Sequence, residues 1–157
     1  MVRALGGSVM FQSALGTLKK YADFKGRASR AEFWTFFLFV VIAQAVAGVV
    51  DLLFGGGRSG VFSLLAGVLL FVPQLAVTVR RLHDVNRSGR ELVVPFLMLV
   101  AMPLFVIFRG FIAGIIMLGY SGIVLLLFAN LLLLLIKQGS SIPNKYGASP
   151  KAFSFAG

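Results

Sequence analysis

From Val61 to Val79 the chain carries no charged residue, and this run is long enough to cross a lipid bilayer. A hydrocarbon core about 30 Å thick takes about 20 apolar residues in helix. Inside it the backbone N–H and C=O groups must pair within their own segment, so an isolated run of this kind can only be a helix. Three more stretches qualify: Phe33 to Phe54, interrupted only by Asp51; Leu92 to Phe108; and Phe111 to Ile136. Only Arg109-Gly110 separates the last two. A tight helical hairpin is the simpler reading. The alternative is one helix with a partly re-entrant entry, because Pro95 and Pro103 each remove a backbone donor. The hairpin is preferred. The chain then divides into an N-terminal segment (1–31), a four-helix transmembrane domain (32–136) and a tail (137–157). The expected class is an all-α polytopic membrane protein with four spans and an interfacial N-terminal helix.

Composition agrees. Hydrophobic residues make up 59% of the chain, well above the range of a soluble domain, so neither a soluble globular fold nor a disordered chain fits. There is no cysteine, which leaves no disulfide framework, thiol nucleophile or thiolate metal site. One histidine and five carboxylates are little material for catalysis, and no cofactor is expected.

The fifteen basic residues are distributed unevenly. Arg3, Lys19, Lys20, Lys25, Arg27 and Arg30 precede the first stretch; Arg80, Arg81, Arg87 and Arg90 follow the second; Lys137, Lys145 and Lys151 follow the fourth. Only Arg58 and Arg109 lie in the intervening loops. Four spans thus place 13 basic residues on one side and 2 on the other. The positive-inside rule puts the thirteen, and both termini, in the cytoplasm. Topology accounts for the basic charge, so nucleic acid is not expected as a partner.

The N-terminus is not a signal peptide, since Gly6, Gly7 and Ser8 interrupt any apolar core after Arg3. Met10 is a candidate natural start. Residues 10–22 read as an amphipathic helix, with Phe11, Leu15, Leu18 and Ala22 on one stripe and Gln12, Thr17, Lys19 and Lys20 mainly off it. Such a basic helix either lies among the headgroups or packs on the end of the bundle. Lys19, Lys20 and Lys25 are the candidate contacts to anionic lipid.

Three polar stretches fall on the basic side: Phe24-Lys-Gly-Arg-Ala-Ser-Arg-Ala-Glu-Phe-Trp34, Arg80-Arg-Leu-His-Asp-Val-Asn-Arg-Ser-Gly89 and Pro143-Asn-Lys-Tyr-Gly147. In this order, around these spans, they resemble the bacterial membrane family catalogued as domain of unknown function 805, over about residues 11–150. Members commonly carry a tryptophan pair where this chain has Arg90-Glu91, and the segment before the third motif is longer here. The resemblance implies a bacterial inner-membrane protein and no established activity.

The motifs also carry local chemistry. Ser29-Arg30-Ala31-Glu32 and Ser88-Gly89-Arg90-Glu91 each have the pattern of a capping box, with serine at the N-cap and glutamate three residues on. Arg27, Arg30, Arg80, Arg81 and Arg87 are either topogenic charges or parts of a lock, in which Arg80 or Arg81 pairs with Asp23, Glu32 or Asp84. The lock is preferred, because the second motif fixes more than positive charge, with His83, Asp84, Ser88 and Gly89 at set places; Glu32, Asn144 and Tyr146 join the candidate polar cluster. A catalytic reading of His83, Asp84 and Ser88 is disfavoured, as is a metal site with one histidine.

Inside the apolar runs, Gln44, Gln74 and Asn130 are polar and uncharged, which counts against an ion-coupled transporter. Pro73 is expected to kink the second helix. Small residues at Ala43/Ala47, Gly56/Gly60 and Gly110/Gly114 allow close helix approach, within one chain or in a homo-oligomer. The expected function is a non-enzymatic inner-membrane component that binds anionic lipid or a membrane-protein partner through a basic cap. The rival is an oligomeric channel or transporter.

Overall fold

A computed structural model of the chain describes residues 15–54, 60–101 and 111–150. Among the described residues, a helical stretch at 15–19 is followed by α1 (Arg30–Phe54), α2 (Val61–Asp84), α3 (Val93–Ala101) and α4 (Phe111–Ile136). A single 3-10 turn, Gly89–Leu92, leads into α3. No strand occurs among the described residues; the only ladder contact there is an isolated bridge between Asn144 and Gly147.

Three helices are long and apolar enough to cross a membrane: Arg30–Phe54, Val61–Asp84 and Gly114–Ile136. The third predicted stretch starts with Leu92 in the 3-10 turn and is helical over Val93–Ala101, and residues 102–108 lie outside the described residues. Leu53, Leu64, Leu69, Leu118, Leu125 and Leu126 each expose more than half of their surface along the shafts. An outward aliphatic face of this extent is stable only against lipid tails.

The helices α1 and α2 run antiparallel, and each end of the pair is tied by polar groups. At one end Ser29 caps α1, its Oγ accepting from Glu32 N at 3.1 Å. At the other end Asp51 caps the helix that follows its own. Its carboxylate accepts from the backbone N–H of Phe62 (3.0 Å) and of Ser63 (2.8 Å), and from the Ser63 hydroxyl (2.6 Å). These are orphan donors of the first turn of α2. Gly60, the local N-cap, has φ 53° and no side chain to serve them. Asp51 is accordingly buried.

Midway along the pair, the Gln44 amide faces α2, with its nitrogen donating to Ser63 O (3.2 Å) and its oxygen accepting from Gly67 N (3.1 Å). A Cβ at Gly67 would lie 3.2 Å from the end of the Gln44 amide. This is the close approach that small residues permit, although Gly67 was not among the spacings singled out.

Pro73 has no N–H, so the carbonyl of Leu69, one turn before it, loses its helical partner. The Tyr21 hydroxyl donates to that carbonyl at 2.7 Å. The chain before α1 is therefore held against the shaft of α2. Residues 15–19 are helical and a turn follows at 20–22, so the predicted helix over 10–22 ends earlier; residues 10–14 lie outside the described residues. Its stripe is also divided. Leu18 packs on the core and Thr17 is buried, while Leu15 is 40% exposed. Thr17 had been placed off the apolar stripe.

The buried core sits at the basic end, not mid-shaft. Ala28, Phe33, Phe36, Val77, Leu82 and Leu135 form it, with Trp34, Leu92 and Leu131 packed alongside. The end of α4 is thereby brought against the end of α2, where the charged motifs lie.

Candidate functional site

The three polar motifs, far apart in sequence, converge on Asp84. It is the last residue of α2, and its side chain is 5% exposed. Arg27 donates to Asp84 Oδ1 from both Nε (3.0 Å) and Nη2 (2.7 Å). Arg81, one turn earlier on α2, donates from Nη1 to Asp84 Oδ2. Both guanidiniums are buried, with side-chain exposures of 1% and 0%.

Their remaining donors serve main-chain carbonyls. Arg81 donates to Leu135 O (3.0 Å) and Lys137 O, which are orphan acceptors at the C-terminus of α4. Arg27 donates to Ser140 O, Ile142 O (2.9 Å) and Gly147 O (3.3 Å), which wraps the tail around it. The preferred location of positive charge at a helix C-terminus adds to this.

The motif glycines have a backbone reason. Gly26 (φ 79°) and Gly147 (φ 126°) occupy the left-handed region that other residues avoid. The carbonyl of Gly26 lies 3.1 Å from His83 Nδ1. Asn86, with φ 60°, ends α2 in the manner of a left-handed C-terminal residue. Gly139 meets a different demand, since a Cβ there would lie 1.7 Å from Asp84 Oδ2.

His83 and Tyr146 stack with ring centroids 3.8 Å apart and planes within 5°. Asn144 holds the tail turn: its Nδ2 donates to His83 O (2.9 Å) and its Oδ1 accepts from Tyr146 N (2.9 Å). Lys145 Nζ sits 5.0 Å above the Tyr146 ring. The polar atoms of the suspected catalytic trio point to different partners. Asp84 faces two arginines, His83 faces Gly26, and the Ser88 hydroxyl accepts from Arg90 N.

Of the residues singled out in sequence, the structure brings Arg27, Glu32, Arg80, Arg81, His83, Asp84, Asn144 and Tyr146 to one end of the bundle and places the others elsewhere. Arg30 stands exposed at the first position of α1, outside the cluster. Arg87 also lies outside it, pairing with Glu91 at 3.4 Å on the surface. Neither capping box closes reciprocally. The Glu32 carboxylate accepts from Arg80 Nη1 at 2.9 Å, and Glu91 faces Arg87. Ser88 caps the short 3-10 turn rather than a membrane helix. Asp23, a possible lock partner by sequence, accepts from Lys25 N in a local turn. Gly139 and Tyr21 were missed. The glycine was legible as a helix stop but not as a contact, and the Tyr21–Pro73 link depends on a carbonyl that no motif marks.

Around Lys19, Lys20 and Lys25 the chain forms a surface cleft of about 550 Å³, also lined by Tyr21, Asp23 and Phe24. All three lysines are exposed.

The model of the family described as protein of unknown function (DUF805) matches residues 21–148, which include all three motifs. The chain belongs to this family. Among its relatives, inner membrane protein YhaH of Escherichia coli K12 is 42% identical over 78 residues, covering 48% of this chain and 64% of the relative. Inner membrane protein YhaI of the same strain is 43% identical over 75 residues, covering 48% and 63%. The chain thus spans a little under two-thirds of the length of these curated relatives. No solved structure matches it. DUF805 relatives are inner-membrane proteins by name, in keeping with the three membrane-length helices found here.

Proposed function

We propose that the protein is a non-enzymatic, multi-pass component of the bacterial inner membrane whose basic end binds anionic lipid. The observation that carries this reading is the cleft in which Lys19, Lys20 and Lys25 share one concave surface beside Tyr21 and Phe24. The Tyr21–Leu69 hydrogen bond holds that surface beside a membrane helix. Lysines placed so attract anionic headgroups by about 1 kcal/mol each. In this reading α3 continues through the apolar run to Phe108 as a fourth span, and the 13-to-2 split of basic residues sets both termini in the cytoplasm.

Two experiments test this. The full chain carrying Lys19→Gln, Lys20→Gln and Lys25→Gln should bind phosphatidylglycerol on the order of a hundredfold more weakly in detergent, while melting like the parent without lipid. Unchanged affinity would remove the cleft from lipid binding. For topology, single cysteines replace Ser59 and the exposed Lys145 of this cysteine-free chain. In intact cells an impermeant thiol reagent should label the first and spare the second. Labelling of the cysteine at position 145 from outside would reject four spans with an internal tail.

A further inference from the structure

Three buried guanidiniums at the basic end share two carboxylates. Arg27 and Arg81 divide Asp84, and Arg80 pairs with Glu32. Arg27 and Arg81 complete their bonding on carbonyls of the tail and of the end of α4. Arg80 does not. It is 2% exposed, yet its Nε and Nη2 have no acceptor among the described residues. These two atoms make up one edge of the guanidinium plane, a pair of parallel donors spaced to match two oxygens of a carboxylate or phosphate. A buried charged group with two unmet donors is costly, and the cost is relieved only when an acceptor arrives.

We infer that the Arg80 Nε–Nη2 edge is a binding site for a phosphate oxyanion. Two observations select phosphate. Arg80 is the first charged residue after the charge-free run that ends at Val79, which sets it at the depth of the phospholipid phosphates. The cluster also carries one more cation than anions, and the exposed Arg30 on the adjoining first turn of α1 adds another. Glu32, with 23% of its side chain exposed, keeps Nη1 while the ligand takes the free edge. The site rests on the reading that this end faces anionic headgroups, and it assigns that reading a specific, fork-shaped contact distinct from the surface lysines. A phospholipid headgroup and free inorganic phosphate present the same oxyanion.

The test uses the full chain, delipidated in neutral detergent and melted with phosphatidylglycerol, with a phosphate-free galactolipid, or with inorganic phosphate. Phosphatidylglycerol should raise the midpoint of the parent by about 5 °C and the galactolipid should not. Arg80→Lys keeps the charge and lacks the fork, so it should lose the rise. The triple lysine-to-glutamine variant should keep the rise at a higher lipid concentration. If that concentration does not change while Arg80→Lys abolishes the rise, the lysine reading fails and the fork stands. An equal rise with inorganic phosphate alone would assign the site to the free ion. No rise in the parent with either phosphate source, as expected if ordered water fills the edge, overturns the proposal. A full rise in Arg80→Lys does so too. Should Arg80→Lys fail to fold, native mass spectrometry of the parent decides. One phosphate-bearing adduct should form when phosphatidylglycerol is added back to the delipidated chain, and a folded parent that takes up none overturns the assignment.

Discussion

Replacing Asp84 with asparagine should collapse the basic end of the protein. The substitution keeps the shape of the side chain and removes the one negative charge facing Arg27 and Arg81, both fully packed away from solvent. Breaking one buried ion pair by deleting a partner typically costs about 3–5 kcal/mol, because an uncompensated charge stays behind. Here two guanidiniums lose the same carboxylate. The midpoint of thermal unfolding in detergent should fall by about 10 °C or more, with aggregation visible on size-exclusion chromatography. Orientation should not change, since acidic residues contribute little to topology. Arg30→Lys is the internal control. Arg30 is exposed and makes no pair, so that variant should melt within about 1 °C of the parent. If Asp84→Asn melts as the control does, main-chain carbonyls alone hold the arginines and the lock is not what stabilises this end.

Gly139→Ala should be nearly as damaging, by a different route. The added methyl would sit 1.7 Å from Asp84 Oδ2 and 2.4 Å from its Cγ. Asp84 cannot rotate aside, because each of its oxygens is held by an arginine. The tail must move instead, and with it the Ser140 N–H that donates to Asp84 O at 3.1 Å and the carbonyls that serve Arg27. Overpacking of this kind costs about 1–3 kcal/mol where neighbours can yield, and more where they cannot. A loss of about 3 kcal/mol or more is expected. Gly122→Ala provides the comparison, because that glycine is helical and faces open space. It should leave stability unchanged or raise it by up to about 1 kcal/mol. Equal melting of the two alanine variants would mean that the tail does not close over Asp84 in the membrane protein.

The membrane-length helices were readable from the chain alone. A charge-free run such as Val61–Val79 has one solution in a bilayer, and that solution depends on length and apolarity rather than on any distant partner. The serine cap at the start of α1 was readable for the same reason, since Ser29 and Glu32 N lie within one turn. The three motifs also marked Arg27, Arg30, Glu32, Arg80, Arg81, His83, Asp84, Arg87, Asn144 and Tyr146 as candidates for one polar cluster. They could not show how these residues pair. Arg27 and Asp84 are 57 residues apart, and five arginines of one sign face a few carboxylates with nothing in local sequence to rank the choices. Only the packing of Ala28, Leu82 and Leu135 into one core decided that Arg27 and Arg81 divide Asp84, that Arg80 takes Glu32, and that Arg30 and Arg87 stay at the surface. The same holds for the two polar ties between segments. Asp51 caps a helix that begins beyond the next loop, and Tyr21 serves a carbonyl orphaned by Pro73. In each case the need is set locally, by an orphan N–H or an orphan C=O. The group that meets it comes from another segment, so tertiary structure alone could name it.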